Sequence, residues 1–69
     1  MLSKKILDSM KYSEFHRIIT RNGWKYVSAT GSHYFYDKDG VLSPPVPFHG
    51  SKEMPEGLRK KIIRDMGLQ

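Results

Sequence analysis

Three histidines, His16, His33 and His49, are the side chains of this 69-residue chain best suited to moving a proton near neutral pH. An imidazole takes a proton from an attacking hydroxyl in its neutral form and returns one as imidazolium. His33 follows Gly31 and Ser32 and opens the aromatic run Tyr34, Phe35 and Tyr36, so it stands where a loop becomes a strand. By residue type alone a structural or surface role is the commoner one for such a histidine. Ser32 can make a local hydrogen bond or position a phosphate, and Gly31 permits close backbone approach, although shaping the strand entrance is the plainer role for both. His49 is a second acid/base candidate and a possible support for His33, yet their separation along the chain establishes no pair. A structural or substrate-positioning role suits His49 better. His16, beside Arg17 in a helical stretch, reads as a solvated or phosphate-facing side chain.

Composition removes several other chemistries. There is no cysteine, hence no disulfide framework, no thiol nucleophile and no cysteine-ligated zinc or iron–sulfur centre. That fits an intracellular, cytoplasmic setting. Three scattered histidines specify no metal site, Asp37 and Asp39 lack the remaining ligands of a calcium loop, and Gly31 lacks the further glycines and lysine of a phosphate-binding nucleotide loop. No metal and no cofactor are expected. No apolar run reaches membrane-spanning length, and residues 1–10 carry Lys4, Lys5 and Asp8 where a signal peptide would be apolar.

Twelve Lys and Arg against seven Asp and Glu give a net charge of +5, which attracts nucleic acid or an acidic protein. Arg17, Arg21 and Lys25 can form one phosphate-attracting region and Lys60, Lys61 and Arg64 another, with Tyr34, Tyr36 and Trp24 available to stack on bases. Solvated surface is the ordinary alternative for the cations, and core or hairpin packing for the rings.

The elements that must position these groups follow from spacing. Ser13 is a reasonable N-cap for a helix reaching about Asn22, with Glu14 near its positive end and Phe15, Ile18 and Ile19 on one face. Gly23 ends it in the left-handed backbone state. Trp24, Tyr26 and Val27 begin a first strand, Gly31 lies in the following turn, and His33 to Tyr36 form a second strand. Asp37 to Gly40 make a hairpin turn. Val41 and Leu42 restart an extended segment in which Pro44, Pro45 and Pro47 suit an edge strand or loop. Pro55 leads into a second helix with Leu58, Ile62 and Met66 four apart, stopped at Gly67. The order is α-β-β-β-α, an α+β fold whose three-stranded antiparallel meander carries two helices on one face. Phe15, Ile18, Ile19, Trp24, Val27, Phe35, Val41, Leu58, Ile62 and Met66 are the expected core. Residues 1–11 read as a short N-terminal leader in which Met10 is an alternative start, and residues 12–69 as a single domain.

The order of these local signatures resembles the HicA (YcfA-like) toxin family across nearly everything after the leader. It rests on Ser13 and Glu14 before a short helix; on Asn22, Gly23 and Trp24; on Gly31, Ser32 and His33; and on Val46 through Gly50. Glu53 through Leu58 and the closing stretch from Ile62 and Ile63 to Met66, Gly67 and Leu68 complete it. The resemblance implies a double-stranded-RNA-binding-domain-like fold, cleavage of mRNA or other single-stranded RNA, and neutralisation by a HicB-type antitoxin in a hetero-oligomer. It carries the family's catalytic histidine over to His33 and reverses the preference set by residue type. The chain departs from the pattern at Tyr34, where many members have a second histidine, and in its leader. A non-catalytic RNA-binding module and a basic protein-interaction domain are the competing functions.

Overall fold

Tyr12, Phe15, His16 and Ile19 recur at the i, i+3, i+4, i+7 spacing of one helical face, and this is the stripe that the first helix buries. A computed structural model describes residues 9–69, in the order α1 (Tyr12–Arg21), β1 (Lys25–Thr30), β2 (His33–Lys38), β3 (Val41–Leu42), β4 (Val46–Pro47) and α2 (Glu56–Met66). The α1 helix begins one residue before Ser13, so Ser13 is not the N-cap. Its backbone N–H donates instead to the Gly50 carbonyl, while the Glu14 carboxylate reaches back to accept from the Lys11 N–H at 2.9 Å. The Asn22 amide closes the other end by donating to the Ile18 carbonyl, and Gly23 follows at φ +95°.

The strands form one antiparallel sheet with β2 at its centre. β1 lies along one side of it. The other side is shared: β3 pairs with Asp37 and Lys38, whereas β4 pairs with His33 and Tyr34. The expected third strand is therefore present in two pieces, interrupted at Pro44 and Pro45, which have no N–H for a ladder. Ser43 bridges the gap, its N–H donating to the Tyr36 carbonyl and its hydroxyl accepting from the Tyr36 N–H. Two tight turns connect the strands. Gly31, at φ +59°, takes the first central position of the β1–β2 turn, and Asp39 and Gly40 are both at positive φ between β2 and β3.

Both helices cover the same sheet face, and the core between them comprises Tyr12, Phe15, Ile19, Trp24, Tyr36, Val46, Met54, Ile62, Met66 and Leu68. Five expected members are outside it. Val27 is 52% exposed because the register slips between Tyr26 and Ser28, leaving it in a bulge of an edge strand. Val41 is 60% exposed because β3 is only two residues long and Val41 sits beside the turn. Ile18 and Leu58 are partly buried, Leu58 packed against the core, whereas Phe35 is turned to the other face of the sheet because it alternates with Tyr34 and Tyr36 along β2. On α2 the buried stripe is Arg59, Ile62 and Met66, shifted one residue from the expected Leu58 line. Residues 1–8 of the expected leader lie outside the described residues. Its last part is tied to the domain, with the Met54 N–H donating to the Met10 carbonyl and Lys11 bridging to Glu53.

Candidate active site on the open face of the sheet

The side chains of a strand alternate between its two faces, so burial along β2 sorts them. Tyr36 is buried against α1 and Tyr34 half-buried on the same side, which turns His33, Phe35 and Asp37 to the face that α1 and α2 do not cover. His33 is exposed there, at the head of the central strand. Its cross-strand neighbours are Thr30 on β1 and Pro47 on β4. The Phe48 N–H donates to the Ser32 carbonyl at 2.8 Å, and that bond makes His33 and Pro47 a non-hydrogen-bonded pair. Two things follow. Pro47 can occupy the rung without leaving a ladder bond unmade, and the two side chains stand in the closer of the two antiparallel spacings. The imidazole is thus flanked by a rigid ring and a hydroxyl-bearing residue, with its outer side open to a ligand.

The other expected site residues are distributed unevenly about this centre. Ser32, half-buried, enters through its carbonyl. Lys25 pairs with Asp37 and so shares the open face, four residues along the strand from His33, or about 13 Å at the usual rise. Arg17, Arg21, Lys60, Lys61 and Arg64 are exposed on the helices, which cover the opposite face. Lys60 is paired with Glu56 at 3.0 Å and Lys61 with Asp65 at 2.7 Å. The helical cations therefore contribute to the field around the molecule and do not converge on His33. Asp65 is held below the usual carboxylate range, first by the Lys61 hydrogen bond.

Tyr36 is not a base-stacking residue, because it is 3% exposed and its hydroxyl is committed within the core. Burial, followed by the neighbouring phenols of Tyr34 and Tyr26, pushes its pKa up to about 12. Tyr34 spends one ring face on Phe48, stacked at 4.8 Å. Trp24 is in the core. His49 is exposed and sets its ring edge-to-face against Tyr12 at 4.8 Å; among the described residues no ring contact or hydrogen bond joins it to His33. Among the same residues no group of three or more His, Cys, Asp or Glu is arranged to hold a metal ion, and no helix is long and apolar enough to cross a membrane.

His16 departs most from its expected place. It is 7% exposed and ringed by Tyr34, Tyr36 and Phe48. Its Nε2 lies 2.8 Å from the Pro47 carbonyl oxygen, which can only accept, so Nε2 carries the proton. Nδ1 then accepts from the Tyr36 hydroxyl at 2.6 Å. Burial holds the imidazole below its usual pKa of 6.5, the Pro47 hydrogen bond opposing in part, and so favours the neutral ring. Arg59 was not anticipated either: it is 6% exposed, its Nη1 has no hydrogen-bond partner among the described residues, and it lines a groove of about 280 Å³ with Met10, Phe15, Ile18 and Ile63. Its signal was positional, since Arg59, Ile62, Ile63 and Met66 have the spacing of a core face.

The family model for the HicA toxin of bacterial toxin–antitoxin systems matches residues 12–68. The chain belongs to the HicA toxin family. A relative in Pseudomonas fluorescens (strain Pf0-1), the "Probable mRNA interferase HicA", is 45% identical over 60 residues, covering 87% of this chain and 98% of the relative. The span matched to the HicA family contains the whole sheet and both helices, and with them Ser32, His33, His49 and all six cations discussed above. It begins where α1 begins and leaves out residues 1–11.

Proposed function

We propose that this HicA-family chain is a toxin endoribonuclease that cleaves mRNA without a metal ion, using His33 as the general base. The imidazole takes the proton of a ribose 2′-hydroxyl as that oxygen attacks the adjacent phosphorus; the bond to the 5′-oxygen breaks, the departing oxygen takes a proton from water, and a 2′,3′-cyclic phosphate is left. Backbone amides around the β1–β2 turn supply positive potential for the developing charge, and Lys25, farther along the same face, attracts the RNA backbone. Family membership supports the reaction class, and the observation that carries the assignment of the residue is the exposure of His33 on the face left bare by both helices. Ser32 and His49 act as supports, the first by fixing the backbone before His33 and the second by orienting RNA.

The neutralising partner in this reading is a HicB-type antitoxin, forming a hetero-oligomer that covers the His33 face. The register places Leu42, 60% exposed, on that same face opposite Asp37, and half-buried Phe35 lies beside it. Apolar side chains on the same face as the proposed base suit a protein that must exclude RNA from it.

Purified wild type and His33→Ala, assayed on single-stranded RNA in the presence of chelator, test the reaction. General-base catalysis contributes about 10²- to 10⁴-fold, and a loss of that order is expected. Unchanged cleavage by His33→Ala would remove the residue from the mechanism. RNA binding with no His33-dependent product would make the chain a binding module. Recovery only after a divalent ion is restored would refute metal independence. A complex in which His33 remains accessible and cleavage persists would reject the inhibition model.

A further inference from the structure

We propose that His16 is a positioning residue for His33, acting through the peptide bond that joins Pro47 to Phe48. The catalytic part of this inference rests on the role given to His33 above; the positional part does not.

Both ends of that peptide unit are used. Its carbonyl accepts from His16 Nε2–H at 2.8 Å, and its N–H donates at 2.8 Å to the carbonyl of Ser32, the residue immediately before His33. The Tyr36 hydroxyl donates to His16 Nδ1 at 2.6 Å, so donors and acceptors run in one direction from Tyr36 through His16 and the peptide to Ser32. A chain of hydrogen bonds oriented this way strengthens each member by polarisation. The geometry also explains why the link is possible. In a non-hydrogen-bonded rung the carbonyl of Pro47 points away from β2, which leaves it available to a side chain on the far side. His16 on α1 is that side chain, and at 7% exposure water has little access to replace it.

β4 is otherwise held by its rung with Tyr34, by the fully buried Val46 and by the stacking of Phe48 on Tyr34 at 4.8 Å, but its ladder is short. It is two residues long, and Pro44, Pro45 and Pro47 donate nothing to a ladder. The backbone carrying His33 is consequently located by β1 on one side and, on the other, by a short strand to whose position the His16 hydrogen bond contributes. A shift of about 1 Å in a catalytic group costs on the order of 100-fold in rate, so loosening β4 acts on turnover before it acts on binding.

The test compares wild type, His16→Leu, His16→Gln and His33→Ala by single-stranded RNA cleavage and by amide exchange at Phe48 under native conditions. Gln places an N–H near the position of Nε2, whereas Leu fills the space without a donor. Expected for folded His16→Leu is a fall in kcat of roughly 10- to 100-fold, KM within about twofold, and faster exchange at Phe48; His16→Gln restores kcat to within a few fold. If His16→Leu does not fold, Tyr36→Phe, which keeps the ring and removes only the donor to Nδ1, carries the test with a smaller change in the same direction. Wild-type kcat in a folded His16→Leu protein, equal losses in the Gln and Leu variants, or unchanged Phe48 exchange would overturn the proposal. Inactive wild type, or a fully active His33→Ala, would instead defeat the catalytic role of His33, and Phe48 exchange would still decide the positioning.

Discussion

Tyr36→Phe removes one oxygen atom from the core, and its consequence can be worked through. The hydroxyl donates to His16 Nδ1 at 2.6 Å, with Tyr36 3% and His16 7% exposed. Without it Nδ1 is a buried acceptor with no donor. The ring cannot escape by changing tautomer, because Nε2 must keep its proton to satisfy the Pro47 carbonyl at 2.8 Å. A buried polar atom left unpaired costs about 1–3 kcal/mol. At roughly 4–8 °C per kcal/mol for a domain of this size, Tm should fall by about 4–24 °C. Thermal and urea unfolding followed by circular dichroism at pH 7.5 measure it, with an unchanged denaturant slope showing that both proteins unfold to the same extent. A double-mutant cycle with His16→Leu sharpens the test. Once the acceptor is gone the phenol oxygen is itself stranded, so the two losses should fall short of adding, by about 1 kcal/mol or more. A loss under about 0.5 kcal/mol, or additivity within that margin, would refute the paired arrangement.

Acidification should destabilise the wild type through His16: burial lowers its folded-state pKa, so the unfolded chain binds the proton first, and stability complete above 6.5 is lost as pH falls toward the folded value. Urea midpoints at pH 7.5 and 5.5 check this, and His16→Leu should lose less between them than the wild type does. At the alkaline end Tyr36 behaves in the opposite sense. Its folded pKa of about 12 lies above the ordinary 10.0, so stability is present below pH 10 and drains away as pH rises toward 12; ultraviolet titration should show one tyrosine ionising late and together with unfolding. Phe15→Ala, at a fully buried position, should cost about 3–5 kcal/mol, enough to leave so small a domain largely unfolded by circular dichroism.

The helices, the strand hairpins and the place of His33 at the head of a strand were legible because each depends on neighbours in sequence: apolar spacing in Phe15 and Ile19, turn chemistry in Asp39 and Gly40, and a Gly-Ser pair before an aromatic run. What escaped depends on contacts distant along the chain. Starting α1 at Ser13 excluded Tyr12, and without Tyr12 the face formed by Tyr12, Phe15, His16 and Ile19 is not visible as a stripe. His16 was then assigned to solvent by its neighbour Arg17. Its partners, Tyr36 and Pro47, lie 20 and 31 residues away. The same limitation placed Tyr36 among base-stacking residues, since an aromatic strand looks alike whichever face is covered. Val27 failed for another reason: a bulge shifts one residue out of register, and nothing in Tyr26, Val27 and Ser28 marks it.

The prolines between β3 and β4 weaken the sheet and also shape its working end. A continuous third strand would pair along the whole of β2 and hold the head of that strand by ladder bonds alone. Interrupted at Pro44 and Pro45, it instead meets the first half of β2 as an independent two-residue piece. Ser43 secures the far side of the gap through both of its polar groups, so the break is confined and does not spread toward β3. On the near side the freed Pro47 carbonyl turns to the helix layer, and His16 answers it. The covered face of the sheet is thereby connected, through one peptide bond, to the residue at the head of the open face. Among the described residues, with a single core and a sheet surface that α1 and α2 leave uncovered, that connection gives the buried layer a hold, through the Ser32 carbonyl, on the position of His33.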